Sequence, residues 1–132
     1  MPKTIQQSVT LPAAAARLYR MYLDPRSHAG ITGSPVRIGA RPGSVFRAFN
    51  GALSGKMLYT RPGRMIVQTW RSTGFARTDP DSILVLTFTP RGRAGRIQLL
   101  HANVADRDAR GVTRGWKKYY WKPWRAYLRK RR

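Results

Sequence analysis

The chain has 132 residues, of which 42% are hydrophobic, and it carries a formal net charge of +21 at pH 7. This length and hydrophobic content predict one domain over residues 1–132 that buries a core, and they argue against a disordered chain. There is no cysteine, which excludes disulfides, thiolate catalysis and cysteine-based zinc sites.

The first predicted elements are a strand and a helix. In residues 3–11 apolar side chains recur at alternate positions, which indicates a strand. Pro12 suits the first turn of a helix over residues 13–23, and Asp24 ends that helix because it precedes a proline. A short further turn is expected to follow, up to Gly30.

The middle of the chain consists of short segments rich in strand-forming residues, such as MIVQTWR, separated by turns that contain proline or glycine. This alternation is typical of an antiparallel meander. The predicted strands are residues 36–38, 45–50, 52–60, 65–71, 82–89 and 96–103.

The last predicted element is one long helix from about Asp108 to Lys130, with Asp106 or Asp108 as its N-cap. The order of strand, helix, about six strands and a long helix indicates an α+β fold in which the helix covers one face of the sheet. Pro123 lies inside this helix and is expected to kink it, with a cavity beneath the bend.

Aromatic and basic residues alternate along the C-terminal stretch GWKKYYWKPWRAYLRKRR. Proteins that bind nucleic acid combine these two residue types, because cations contact phosphates and rings stack on bases. At about 100° per residue, however, the aromatic residues fall on one broad face, which is typical of a helix packed on a core. That face contains Trp116, Tyr119, Tyr120, Trp124, Ala126 and Tyr127, with Trp121 and Leu128 at its edge.

A narrow basic stripe on the opposite side of this helix is expected to contact an anionic partner. It contains Lys118, Lys122, Arg125 and Arg129, and the Arg129–Arg132 end continues it. The whole chain has 26 basic residues and no glutamate, and so positive a surface attracts RNA, DNA, anionic lipid or an acidic protein. The alternative is a solvated surface that only aids solubility.

Segments in order over nearly the whole chain carry a family resemblance. They are Leu23-Asp24-Pro25, Ile31-Thr32-Gly33-Ser34-Pro35, Arg41-Pro42-Gly43, Phe49-Asn50-Gly51, Gly55, Ile66–Arg71, Leu86-Thr87-Phe88, Gly115-Trp116 and Tyr119-Tyr120. Together they resemble the domain called activator of heat shock protein 90 ATPase homologue-like, which has the START-like helix-grip fold of the SRPBCC superfamily. The resemblance implies a curved antiparallel sheet of about six or seven strands around the long C-terminal helix, with a pocket between them.

The wider superfamily uses that pocket for hydrophobic ligands, and some members carry out lyase or cyclase chemistry there. We therefore expect a non-enzymatic domain that binds a small hydrophobic or amphipathic ligand or a client protein, with a chaperone- or stress-related role. A heat-shock chaperone or another acidic protein is a candidate partner. One alternative is a polyanion-binding module for RNA or DNA, and another is a cyclase- or dehydratase-like enzyme.

Six residues are expected to line the pocket. Their assignment depends on which strand faces are concave, and a slip of one residue would invert every assignment. For Arg47, which shares a face with Val45, the alternative is a position in solvent. The six residues are Arg47, Gln68, Trp70, His101, Trp116 and Tyr120.

The two histidines predict no metal or cofactor site. His101 alternates with apolar residues in its strand, and a lone histidine there is more often a hydrogen-bonded core residue than a catalyst. In the enzyme alternative it would be the acid–base group. His28 lies near a turn and is predicted to be on the surface, so the pair lacks metal-ligand spacing.

No apolar segment approaches the length of a signal peptide or of a membrane span, which takes about 18 residues. The expected location is the cytoplasm.

Overall fold

The computed structural model describes residues 1–130, in which an antiparallel sheet curves around the C-terminal helix. The seven strands follow the order β1-β7-β6-β5-β4-β3-β2 across the sheet. They are β1 (Lys3–Leu11), β2 (Val36–Arg37), β3 (Val45–Ala48), β4 (Leu53–Arg61), β5 (Met65–Ser72), β6 (Ser82–Arg91) and β7 (Ala94–Val104). The helices are α1 (Ala15–Leu23), α2 (Pro25–Thr32), α3 (Asp106–Trp116) and α4 (Lys122–Lys130). This architecture confirms the predicted α+β helix-grip fold.

The two N-terminal helices differ in detail from the prediction. Helix α1 begins at Ala15 rather than in the turn after Pro12. The carboxylate of Asp24 accepts hydrogen bonds from the hydroxyl and the backbone N–H of Ser27, which lower the pKa of Asp24 and cap α2. Helix α2 is longer than the predicted turn, because it continues to Thr32 and ends at Gly33 with a φ of 79°.

Strand β3 fixes which side chains face the core at this edge of the sheet. Phe46 and Ala48 are buried, whereas Val45 and Arg47 are exposed. The predicted strand over 45–50 therefore stops at Ala48, since the next two residues have left-handed φ values of 51° and 55°.

The long C-terminal helix contains a π-helical turn, Lys117–Trp121, between α3 and α4. The N–H of Lys122 bonds to the carbonyl of Lys117, five residues earlier, so this turn holds an extra residue. The helix continues through Pro123 without a break. The predicted aspartate cap is wrong, because Ala105 occupies the N-cap position and both aspartates lie inside the first turn.

The extra residue changes which side chains of this helix reach the core. Tyr119 and Ala126, which an uninterrupted helix would place with the apolar face, are exposed. The buried side chains are Trp116, Tyr120, Trp121, Trp124 and Leu128. They join a single hydrophobic cluster that also contains the buried strand residues. Over residues 1–130, none of the helices combines the length and the hydropathy needed to cross a membrane.

Candidate ligand cavity

A cavity of about 420 Å³ lies between the sheet and helix α3, and we call it the helix–sheet cavity. Its volume falls in the range of roughly 300–1,000 Å³ that is typical of small-molecule sites. The wall on the sheet side consists of Phe49, Ala52, Leu53, Trp70, Ser72 and Phe75. The wall on the helix side consists of Asp108, Gly111, Val112, Gly115, Trp116, Tyr119 and Tyr120.

Two glycines four residues apart leave room on the helix side of this cavity. A Cβ atom added at Gly111 would meet nothing within 4 Å, and one at Gly115 would first meet the Tyr119 ring at 3.8 Å. Glycine inside a helix costs roughly 0.5–1 kcal/mol relative to alanine. The helix therefore carries no side chain at two positions that face the cavity, and these glycines lower the stability of the helix. Pro123 is not in the wall, so the predicted position of the cavity beneath the proline is wrong.

The segment Phe49–Gly51 forms part of the cavity rim with an unusual backbone. Phe49 and Asn50 both have positive φ, and a bulky residue such as Phe49 rarely adopts this conformation. The Phe49 ring meets the Tyr119 ring edge to face, with centroids 5.5 Å apart. Sparsely populated backbone conformations cost of order 1–3 kcal/mol each and cluster at ligand sites. The rim thus shows strain next to the cavity.

Three of the six residues predicted to line the pocket are in the cavity wall: Trp70, Trp116 and Tyr120. Gln68 is not, because its side chain is buried elsewhere and its Oε1 accepts a 2.6 Å hydrogen bond from the Tyr22 hydroxyl. Arg47 is not, because Phe46 and Ala48 occupy the inner face of β3 and leave the arginine in solvent. That any of these residues binds a ligand stays a prediction.

His101 also lies outside the wall, and its two ring nitrogens are both engaged. The indole N–H of Trp116 donates to Nδ1 at 3.1 Å, so Nδ1 carries no proton. The Ser82 hydroxyl donates to the carbonyl of Trp70 at 2.6 Å and therefore accepts from Nε2–H of His101, 2.8 Å away. This direction is opposite to that of a serine activated by a histidine base. Burial lowers the pKa of His101 to about 4, so the ring is a neutral core group.

His28 is buried, which corrects the prediction of a surface position. Its Nδ1–H donates to the carbonyl of Tyr22 at 2.7 Å, and its Nε2 accepts from the Tyr120 hydroxyl at 2.9 Å. Burial lowers the pKa of His28 to about 4 and raises the pKa of Tyr120, so both groups are neutral at physiological pH. A sequence signal for this burial was Ile31, three residues later on the same helix and also buried.

Two wall residues carry buried polar atoms without a hydrogen-bond partner among residues 1–130. They are the indole Nε1 of Trp70 and the carboxylate Oδ2 of Asp108. The nearest cation to that oxygen is Arg107, whose Nε is 3.9 Å away, beyond hydrogen-bonding distance. Leaving a buried donor or acceptor unpaired costs roughly 1–3 kcal/mol. The wall is therefore mostly apolar, and it contains one hydrogen-bond donor, the Trp70 indole N–H, and one acceptor, Asp108 Oδ2, that lack partners among the described residues.

A second depression, of about 670 Å³, runs between β1 and the C-terminal helix, and we call it the basic groove. Of the residues predicted to contact anions, Lys122, Arg125 and Arg129 line it. Lys118 does not line it, and its Nζ lies 5.2 Å from the centroid of the Tyr119 ring. Arg131 and Arg132, the remainder of the predicted basic end, lie outside the described residues.

Sequence reasoning missed most of the cavity wall. The available signals were the spacing of Gly111 and Gly115, which removes side chains from one face over a full turn, and Gly51 after Phe49. The sequence predicts Asp108 as a helix cap and does not indicate its position in the cavity wall. Phe75 lies in a loop that gave no periodic signal.

Several solved structures share this fold. PFC0360w, an HSP90 activator from Plasmodium falciparum, superimposes with a TM-score of 0.79 over 89% of both chains, at 16% identity. The protein MLL2253 from Mesorhizobium loti gives 0.83 over 97% of this chain and 98% of its own, at 17% identity. CV1439 from Chromobacterium violaceum gives 0.70 over 89% of this chain and 92% of its own, at 26% identity.

A sequence relative is the uncharacterized protein C1711.08 of Schizosaccharomyces pombe, which is 31% identical over 113 residues. The match covers 77% of this chain and 34% of that protein, so the chain spans about a third of the relative's length. The family described as Activator of Hsp90 ATPase homolog 1-like protein matches residues 12–129. Since this match extends over nearly all of the sequence, the chain belongs to that family.

Proposed function

We propose that the chain binds a small hydrophobic or amphipathic ligand in the helix–sheet cavity. The observation that carries this proposal is the cavity itself, about 420 Å³ in volume, with aromatic rings on both sides and a pair of glycines facing it. A concave, mostly apolar site with few polar groups is typical of small-molecule binding.

The two unpaired polar atoms of the wall favour an amphipathic ligand over a hydrocarbon. A ligand with an acceptor would pair with the Trp70 indole N–H, and one with a hydroxyl or amine would pair with the Asp108 carboxylate. Each pairing would remove the cost of a buried polar group, provided that the side chain turns toward the ligand.

Binding rather than catalysis fits the ionisable groups of the wall. Within residues 1–130, the wall holds a single carboxylate, that of Asp108, and no histidine, and its other ionisable groups are the hydroxyls of Tyr119 and Tyr120. The Tyr120 hydroxyl already donates to His28, and His101 is engaged outside the cavity. The cyclase- or dehydratase-like alternative therefore loses the acid–base group on which it relied.

The test is titration with N-phenyl-1-naphthylamine, a neutral fluorescent probe that the positive surface does not attract. We expect binding to the wild-type chain and to Gly115→Ala, which adds one methyl group in ordinary contact with Tyr119. Gly115→Phe should weaken binding by about tenfold or more, because its ring occupies the cavity. No binding to the wild type, or equal binding to Gly115→Phe in a folded protein, would contradict the proposal.

A chaperone-related role has the support of family membership alone. The 16% identity to the Plasmodium falciparum HSP90 activator concerns the fold. Stimulation of the ATPase of a purified heat-shock chaperone by this chain would support that role, and the absence of any stimulation would count against it.

Nucleic-acid binding by base stacking loses its main support. The indoles of Trp116, Trp121 and Trp124 are at most 6% exposed, so they offer no ring faces to bases. What remains of that alternative is phosphate contact through the exposed cations.

A further inference from the structure

The basic groove is a site of concentrated, uncompensated positive charge. Its floor and walls include no carboxylate among the described residues. In residues 1–130 the ion pairs involve only three cations, Lys3, Arg71 and Arg107, none of which is in the groove. The cations that line the groove are Lys117, Lys122, Arg125 and Arg129. Four cations that line one groove without a neighbouring carboxylate favour a bound anion.

The opposite wall of the groove is an edge strand. β1 is the first strand in the sheet order and pairs only with β7 among the described strands. The carbonyl of Thr10 accepts a 3.0 Å hydrogen bond from the Arg125 guanidinium, so the backbone of Thr10 points away from β7 and toward the helix. Because strand backbone groups alternate in direction, those of Ser8 and Gln6 point the same way.

A further cation belongs to this edge. The Nε of Arg96 on β7 donates a 2.7 Å hydrogen bond to the hydroxyl of Ser8, which lines the groove. Edge strands present unpaired N–H and C=O groups to which another extended segment can add. The free edge of β1 can therefore pair with the backbone of another segment. Cations lie on the helix side of this edge and, through Arg96, on the β7 side.

We infer that the basic groove binds an extended, acidic segment of a partner protein, which adds to the edge of β1. In an extended segment, alternate side chains are about 6.8 Å apart. Lys122, Arg125 and Arg129 all line the groove, so their cations lie along one side of it. Acidic side chains at alternate positions of such a segment would face these cations, while its backbone pairs with Gln6 and Ser8.

A protein segment fits the groove better than a nucleic acid does. The aromatic residue in the groove is Trp121, which is 6% exposed and donates its N–H to Gln7 at 2.7 Å. Bases would find no ring to stack on, and only their phosphates would be bound. An extended peptide backbone supplies both donors and acceptors to the outward N–H and C=O groups of Gln6 and Ser8, whereas a phosphate group supplies acceptors only.

The experiment uses a fluorescein-labelled peptide with glutamate at alternate positions and threonine or valine between them. We expect saturable binding that weakens as salt rises. Lys122→Glu combined with Arg129→Glu should weaken binding by about tenfold or more, since both residues are exposed and line the groove. The matched control is Arg37→Glu combined with Lys56→Glu, which makes the same change in net charge with exposed residues at the far side of the sheet.

Hydrogen exchange provides the second measurement, which reports on strand pairing directly. The peptide should slow exchange at the amides of Gln6 and Ser8, and a version with proline at every second position should not. Three results would overturn the inference: equal loss of binding in the control variant, equal binding of the proline peptide, or oligothymidylate of equal charge binding as tightly as the peptide. The last result would instead assign the groove to phosphates.

Discussion

The Tyr120 hydroxyl donates a 2.9 Å hydrogen bond to Nε2 of His28, a residue 92 positions earlier in the chain. Because Nδ1 of His28 is bound to the carbonyl of Tyr22, the imidazole connects helices α1 and α2 to the wall of the helix–sheet cavity. Both side chains are buried, so no solvent replaces this bond if it is lost. The cavity wall is thus fixed by a polar contact within the core.

We predict that Tyr120→Phe lowers the free energy of unfolding by roughly 1–3 kcal/mol, because it leaves Nε2 of His28 buried without a donor. Urea denaturation at neutral pH measures this change. Tyr119→Phe is the matched control, since Tyr119 is the adjacent residue and is 46% exposed. It should change stability by no more than about 0.5 kcal/mol. Equal effects of the two substitutions would show that the buried bond does not stabilise the fold.

The hydrogen-bond directions predict opposite tautomers for the two histidines. His101 should carry its proton on Nε2, because Trp116 donates to its Nδ1. His28 should carry its proton on Nδ1, because the carbonyl of Tyr22 can only accept. Long-range proton–nitrogen NMR correlations of the imidazole rings distinguish the two forms. The same tautomer at both sites, or an exchanging mixture at either, would be inconsistent with this network.

Stability should fall as the pH is lowered through the range in which unfolded histidines gain a proton. Burial lowers the pKa of His28 and of His101 from 6.5 to about 4. Between these values the unfolded state binds more protons than the folded state, so the free energy of unfolding decreases with decreasing pH. The free energy of unfolding is therefore highest above about pH 6.5. Lowering the pH from about 7 to about 5 should decrease it by roughly 2 kcal/mol for each histidine.

Urea denaturation at these two pH values tests this dependence. The comparison is with a variant that combines His28→Gln and His101→Gln, in which the pH slope should largely disappear even if the variant is less stable. The pKa of Asp24 is lowered in the folded protein, so that carboxylate titrates below this window and does not confuse the result. An unchanged slope in the variant would rule out the histidines as its cause.

Strand positions were predictable to within a few residues because alternation and turn residues agree along the middle of the chain. The predicted strand over 65–71 appears as β5, Met65–Ser72. The prediction at β3 was too long, since left-handed backbone begins at Phe49 and only the following Gly51 indicated it.

The face that each strand presents to the core was not predictable with the same certainty. In β3 both alternations contain apolar residues, and contacts with the rest of the protein bury Phe46 rather than Val45. The π-helical turn was not predictable either. It brings Trp121 into the core, where its ring stacks on Trp116 with centroids 5.4 Å apart. A regular helical projection assumes about 3.6 residues per turn and so omits the extra residue, although Pro123, which clashes with the carbonyl of Tyr119 in a regular α-helix, indicated a distortion in this stretch.

Gly111 lies in the cavity wall, and replacing it with alanine should have the opposite effect on stability from the same replacement at Gly33. Gly111→Ala should raise the free energy of unfolding by roughly 0.5–1 kcal/mol, because alanine favours the helix and its Cβ meets nothing within 4 Å. Gly33→Ala, the control, also finds open space but at a φ of 79°, so it should destabilise by about 1 kcal/mol. Urea midpoints measure both changes. Destabilisation by Gly111→Ala would contradict the prediction. It would mean that the backbone of α3 requires glycine at this position, even though a Cβ atom has room there.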